Sequence, residues 1–199
     1  MLKLLALPFF AYFLGSIPCG LVLTRLFTSV DIREKGSKNI GATNVKRVAG
    51  STWGILTLVG DTIKGAFPVW LGLTITTPDT LNGQIYLSLV AMAAFLGHLF
   101  PIYTKFKNGG KGVATAGGCF AVISPAALVV AILVFILFIC WSGRVSAASL
   151  AASVIMPVAL WKATGSGVIT GCAFITSIFI YVRHMENIKR LLTGIEPKI

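Results

Sequence analysis

Three polar segments hold most of the residues in this chain that are equipped for chemistry. The first, GSKNIGATNVKRVAG at 36–50, sets Ser37, Asn39, Thr43 and Asn44 among Lys38, Lys46 and Arg47, with glycines between them. Many donors on a permissive backbone are what a phosphate oxyanion requires. A turn with a helix cap and positive charges facing the cytoplasm would have the same composition, so the residues alone leave both readings open. The second, KNGGKGVATAGG at 107–118, surrounds Lys111 with Gly109, Gly110 and Gly112 just before a helix is expected. The N–H groups of such a loop and the positive end of the helix dipole attract an anion. It is not a Walker A loop: Gly112 follows Lys111 where Ser or Thr is needed and no strand precedes it, so nucleotide hydrolysis is unsupported. A flexible basic hairpin is the alternative. The third, HMENIKRLLTGIEPK at 184–198, places His184 and Asn187 three apart, on one face of a helix continuing beyond the last apolar run, with Glu186 off that face. An interfacial histidine is most often a hydrogen-bonded bystander, but beside two anion sites it becomes a candidate acid/base group near neutral pH.

The elements that position these segments must be membrane helices. Of 199 residues, 56% are hydrophobic and 12% charged, whereas a soluble domain has about 45–50% and about 25%. One core of this size cannot hide so much apolar surface from water, so lipid is the solvent, at roughly 20 apolar residues per crossing. The excess of 17 Lys+Arg over 6 Asp+Glu, a net +11, then indicates loops facing an anionic leaflet; no DNA-binding motif accompanies it, and no nucleic-acid partner is expected.

Apolar runs lie at 4–27, 52–75, 85–103, 113–141, 145–161 and 168–182. The first is read as a retained span, since the run after Lys3 is long and no A-x-A-like cleavage site follows it. Short loops rich in Lys and Arg stay in the cytoplasm. With six spans and the N-terminus outside, the first and third loops would be cytoplasmic but the basic tail would not. The 29-residue fourth run contains Ser124-Pro125, and proline there removes a helix hydrogen bond, so we split it into 113–123 and 126–141. Seven spans then place 14 of the 17 basic residues on one face, leaving out Lys3, Lys64 and Lys162. The expectation is an all-α, polytopic membrane bundle of seven transmembrane helices, N-terminus outside and C-terminus cytoplasmic, forming a single domain over 1–199.

Within it, Asp61 and Lys64 are spaced i,i+3 and able to pair. Buried charges in lipid are costly, so they are either functional or a structural tie; His98 is open to the same two readings. Cys19, Cys119, Cys140 and Cys172 lack the paired spacing of a metal or redox motif and are read as packing residues, and no metal site is expected. Gly50-x-x-x-Gly54 and Gly167-x-x-x-Gly171 are read as helix-packing motifs. A transporter of a phosphorylated solute or an anion would also use glycine breaks and basic cavities; it is the alternative to an enzyme here.

Taken in order, the segments resemble the PlsY family of bacterial acyl-phosphate-dependent glycerol-3-phosphate acyltransferases. The resemblance runs through GSIP in the first span, GSKNIGATN and KRVAG, the D-x-x-K-G of Asp61 to Gly65, GHLFP with FKNGGKGVAT, GRVSAAS at 143–149, and RHMENIKRLLTG. It implies transfer of a fatty acyl group from acyl-phosphate to the 1-hydroxyl of glycerol 3-phosphate. The products are lysophosphatidic acid and inorganic phosphate, an early step of phospholipid synthesis at the cytoplasmic face of the bacterial inner membrane. It also implies no cofactor, neither acyl-CoA nor a metal, and we expect a monomer whose partners are acyl-phosphate, glycerol 3-phosphate and membrane lipid.

By the same resemblance Ser37 and Arg47 are essential residues of a phosphate site lined by Thr43 and Asn44, which we assign to acyl-phosphate, with Asn39 a further substrate-binding candidate. Gly109, Gly110, Lys111 and Gly112 hold glycerol 3-phosphate. His184 and Asn187 complete the catalytic set, Ser149 reaches substrate, and Glu196 is structural. Three residues depart from the family pattern: Lys38 replaces a glycine, Asn108 lengthens the glycine loop by one, and Met185 replaces an arginine. A serine nucleophile needs a base oriented by a third group, and no carboxylate is clearly placed to orient His184. We therefore expect direct transfer, with the phosphate of glycerol 3-phosphate, whose second pKa is about 6, taking the hydroxyl proton.

Overall fold

The computed structural model describes residues 2–199, with side chains from residue 6 onward; Lys3, left off the basic face above, falls outside the described side chains. Ten α-helices are described: α1 (Leu2–Gly15), α2 (Cys19–Phe27), α3 (Ala42–Ala49), α4 (Ser51–Ile75), α5 (Leu81–Leu99), α6 (Val113–Ile123), α7 (Pro125–Ser142), α8 (Val145–Thr164), α9 (Gly167–Arg183) and α10 (Met185–Leu192), with one 3-10 turn at Ile102–Thr104. No strand occurs among the described residues.

The split at Ser124-Pro125 falls where proline chemistry placed it. Ser124 caps α7, its Oγ accepting from Ala127 N–H at 3.3 Å, and Pro125 takes the first helical position, where no N–H is needed. The first run is not one rod: α1 and α2 meet at 45° across Ser16–Pro18. At the other end α9 and α10 bend by 62° at His184. Three helices, α5, α7 and α8, are long and apolar enough to cross a bilayer, and five spans result if each bent pair counts as one. Helix α6, with 11 residues, rises only about 16 Å against a hydrocarbon core of about 30 Å.

Large apolar side chains face outward, among them Ile132, Leu133, Leu137 and Trp141 of α7 and Phe174 and Ile178 of α9. Between helices in lipid there is no water to expel, so close van der Waals approach and hydrogen bonds must hold the bundle. Two reciprocal glycine contacts supply the approach. A Cβ on Gly65 of α4 would lie 2.2 Å from Thr115 O, and one on Gly118 of α6 2.0 Å from Thr62 O. Gly15 of α1 and Gly97 of α5 repeat the arrangement against Ala94 O and Tyr12 O. The expectation for Gly167 and Gly171 is corrected: both face open space, as does Gly50, and only Gly54 of the expected motifs packs closely, on Lys46.

Inside the bundle Asp61 and Lys64 pair at 2.8 Å, at 2% and 3% exposure. Lys64 Nζ also donates to Ile17 O at 2.7 Å, adding a charged donor to the Cys19 N–H that bonds the same carbonyl at 3.0 Å in the break between α1 and α2. His98 Nδ1 approaches Asp61 Oδ1 to 3.7 Å. The pair is thus a tie across the first helices.

Candidate functional site

A polar cavity of about 410 Å³ opens where the first loop, the start of α6 and the bend between α9 and α10 converge. Ser37, Asn39, Lys111 and Asn187, drawn from all three polar segments, line it together with Arg183, Glu186 and Arg190.

The first loop is shaped by Asn44. Its Oδ1 accepts from Ser37 N–H at 2.8 Å, and its Nδ2 reaches the carbonyls of Ile32, Lys35 and Asn39 at 3.2, 3.2 and 2.9 Å. An amide so engaged and 2% exposed has no capacity left for substrate, so the expectation for Asn44 is corrected: it is the brace that folds the loop over α3. Asn39 turns the chain by accepting from Gly41 N–H at 2.9 Å. Ser37 is exposed beside the cavity; Thr43 and Arg47 are exposed on α3, outside the lining, and neither makes a side-chain hydrogen bond among the described residues. Lys38, where the family pattern has glycine, sits at φ +56°, and the additional Asn108 also adopts φ +56°. Both occupy the left-handed region, which asparagine tolerates better than lysine.

In the glycine loop only Lys111 faces the cavity. The glycines lie beneath it for steric reasons: a Cβ on Gly109 would sit 1.8 Å from Leu99 O, on Gly110 1.9 Å from His98 Nε2, and on Gly112, at φ +83°, 2.2 Å from the Phe95 ring. Gly110 N–H is already bonded to His98 O at 3.1 Å. The expectation that Gly110 cradles phosphate through its N–H is therefore corrected. The unpaired N–H groups at this point are those of the first turn of α6.

Lys111 Nζ donates to Asn187 Oδ1. Asn187 Nδ2 donates to Glu196 Oε1 at 2.6 Å, which also accepts from Ser146 Oγ at 2.7 Å, while Arg190 Nε donates to Glu196 Oε2 at 2.7 Å. Glu196 is thus the hub that aims Asn187 and holds the tail, whose backbone also accepts from Arg144. Burial would raise the Glu196 pKa, but the bonds from Arg190, Asn187 and Ser146 prevail and keep its carboxyl below the ordinary range. Burial pushes the Lys111 ammonium down to about 8, with Glu196 opposing the shift. The serine of α8 in this network is Ser146; Ser149, one turn further on, is buried and lines neither cavity.

His184 does not share a helical face with Asn187. It caps α10 at the bend, 3% exposed, and its Nδ1–H donates to Ile180 O at 2.8 Å. Burial, then the charge of Lys111, pushes its pKa down to about 4, so at neutral pH it is an uncharged imidazole with its Nε2 lone pair free of a proton. No carboxylate orients it among the described residues. Sequence reasoning missed Arg183 and Arg190, which it counted only as topological charge; no spacing across the bend reveals them, since the fold alone brings both to the cavity.

A second cavity, of about 300 Å³ and almost wholly apolar, is lined by residues of α4, α6, α7, α8 and α9, among them Phe120, Phe135 and Met156; its lining includes Val113, two residues beyond Lys111, and Ile180, whose carbonyl bonds His184. A cationic, donor-rich cavity and an apolar one lined by residues a few positions away in the chain suit an amphiphile with an anionic head.

The family model for glycerol-3-phosphate acyltransferase matches residues 5–194. The glycerol-3-phosphate acyltransferase of Syntrophotalea carbinolica is 47% identical over 189 residues, 94% of this chain and 93% of that one. That of Geobacter sulfurreducens is 41% identical over 198 residues, 100% and 98% of the two chains. The crystal structure of PlsY (YgiH), an integral membrane glycerol 3-phosphate acyltransferase, in its glycerol 3-phosphate form is similar with a TM-score of 0.93 at 38% identity, over 99% of this chain and 96% of that one. Its lysophosphatidic acid form gives 0.90 at 37%, over 99% and 95%. Sequence and fold agree over nearly the whole length, and the chain belongs to the glycerol-3-phosphate acyltransferase family of integral membrane enzymes.

Proposed function

We propose that the acyl donor is acyl-phosphate and that transfer to the 1-hydroxyl of glycerol 3-phosphate is direct. The observation that carries this is a pair of neighbouring cavities, one polar and lined by Ser37, Asn39, Lys111 and Asn187, the other apolar and lined by Val113, two residues beyond Lys111. The acyl chain lies in the apolar cavity with its carbonyl carbon toward the polar one. Lys111 and Asn187, with the first N–H groups of α6, hold the phosphate of glycerol 3-phosphate, and Gly109, Gly110 and Gly112 set the loop close enough to allow it. Ser37 and Arg47, with Asn39 and Thr43, take the phosphate of the donor; Arg47 swings in from α3 to do so. Ser149, which is buried and lines neither cavity, is assigned no substrate contact, against the expectation that it reaches substrate.

The glycerol oxygen attacks the acyl carbon, the bond from that carbon to the phosphate oxygen breaks, and inorganic phosphate leaves with its charge offset by Arg47. The hydroxyl proton passes to a phosphate oxygen of glycerol 3-phosphate. A histidine depressed to about 4 is a weak base at neutral pH, whereas a phosphate monoester with a pKa of about 6 is better matched. His184 then fixes the bend that presents Asn187. No acyl-enzyme forms on Ser37, because no base oriented by a carboxylate stands beside it.

Topologically, we read seven crossings with α6 as a short one, the N-terminus outside, and the polar cavity at the cytoplasmic face of the bacterial inner membrane, in a monomer. A cysteine at Thr77 then reacts with an impermeant thiol reagent from outside and one at Lys189 only after lysis; labelling of both from one side rejects this.

The deciding assay is phosphate release by the purified protein in detergent with acyl-phosphate and glycerol 3-phosphate, with acyl-CoA as the alternative donor. Release with acyl-phosphate alone, or an acylated Ser37 peptide by mass spectrometry, overturns direct transfer.

A further inference from the structure

We infer that Arg183 is a positioning residue for glycerol 3-phosphate: its guanidinium grips the carbonyls of Gly109 and Gly110 and holds the loop that presents Lys111. The residue ends α9, is half-buried and lines the polar cavity. Its Nε donates to Gly110 O at 3.1 Å and its Nη2 to Gly109 O. These two carbonyls belong to the residues just before Lys111, and their partial negative charge would oppose an anion settling on the loop. One planar cation covers both at once, which a fork of N–H donors can do and a single ammonium cannot.

On its other side the same loop meets α5. Gly110 N–H is bonded to His98 O at 3.1 Å, and the His98 ring stands where a Gly110 Cβ would be. The loop is therefore wedged between the end of α5 and the guanidinium, with no side chain of its own to anchor it at residues 109 and 110. Four residues beyond Arg183, across the bend, Asn187 takes Lys111 Nζ. The end of α9 and the start of α10 thus hold the loop at two points, its backbone through Arg183 and its Lys111 ammonium through Asn187.

This inference rests on the reading that the phosphate of glycerol 3-phosphate binds at Lys111, and the two are separable. Steady-state kinetics of Arg183→Gln and Arg183→Lys in detergent, varying each substrate in turn, test it. Arg183→Gln should raise KM for glycerol 3-phosphate about tenfold or more while KM for acyl-phosphate stays within about twofold, with Arg183→Lys in between. Millimolar guanidinium ion should lower the raised KM of Arg183→Gln and leave the parent protein unchanged. An unaltered KM for glycerol 3-phosphate, or equal rises in both KM values without guanidinium rescue, overturns the positioning role. If Arg183→Gln does not fold, the KM of Arg183→Lys decides alone. If Lys111→Ala leaves KM for glycerol 3-phosphate unchanged, the reading of the site falls instead.

Discussion

The two halves of the polar cavity are built in opposite ways. On the side of α6 and α10, Lys111, Asn187, Glu196, Ser146 and Arg190 are joined in one hydrogen-bonded chain. On the side of the first loop, Asn44 is consumed in bracing the backbone, and the groups left for substrate, Ser37, Thr43 and Arg47, are exposed. One half is assembled in advance, and the other waits for an anion to order its cation. An assembled half binds with little loss of side-chain entropy, while an open half adds its interactions as substrate and transition state arrive, which favours rate over resting stability.

The largest effect should come from the open half and leave the fold untouched. Arg47→Ala should lower kcat/KM by about 10²–10³-fold with the melting temperature in detergent unchanged; a fall in both would erase the contrast. Next, Glu196→Ala in the assembled half should remove about 3 kcal/mol of stability by leaving Asn187, Ser146 and Arg190 without their common acceptor. Thermal melts would show it, and a melting temperature equal to the parent would mean the network is not holding the tail.

The apolar cavity, lined by Val113 two residues beyond Lys111, offers a third comparison. A Cβ on Gly117 would meet nothing nearer than Leu128 Cδ1 at 3.9 Å, so this glycine opens onto the cavity and not onto a packed helix. Gly117→Leu should shift preference toward shorter acyl-phosphates by about tenfold, at constant KM for glycerol 3-phosphate. A chain-length profile identical to the parent's would place the acyl chain elsewhere.

A smaller effect follows from charge. With Lys111 depressed to about 8, its protonated form falls by about fourfold between pH 7 and 8.5, and kcat/KM for glycerol 3-phosphate should fall with it. Lys111→Arg, which does not titrate there, should flatten that limb. Stability runs the other way: the cost of burying the Lys111 charge is full below about pH 8 and is relieved as pH rises toward 10.5, the ordinary lysine value. His184 contributes stability above about 6.5 that is lost as pH falls toward 4. The smallest effect should be that of Lys38→Gly, which relieves a lysine at φ +56° and should add about 1 kcal/mol without changing turnover.

Much of this was legible in the residues, for identifiable reasons. Ser124-Pro125 marks the boundary of α6 because proline chemistry is local, and the Asp61–Lys64 pair follows from helical spacing. The bends were less legible. An apolar run carries no record of direction, so 4–27 reads as one span although Pro18 precedes α2. The same gap misled the reading of His184 and Asn187, since i,i+3 spacing places residues on one face only while the helix continues, and here it turns by 62°. The convergence of Ser37, Lys111 and Asn187 is tertiary and cannot be read from spacing. Asn44 sits in a run rich in donors, and only the fold shows that its donors face inward.

The tie from Lys64 to the Ile17 carbonyl also has a consequence for how the protein is made. During synthesis the interrupted first span enters the bilayer 47 residues ahead of its lysine partner, with the Ile17 carbonyl held only by the short bonds from Cys19. The bend between the first two helices is therefore closed locally first and locked only when the fourth helix arrives, so the order of synthesis makes that pairing the step that fixes the first span.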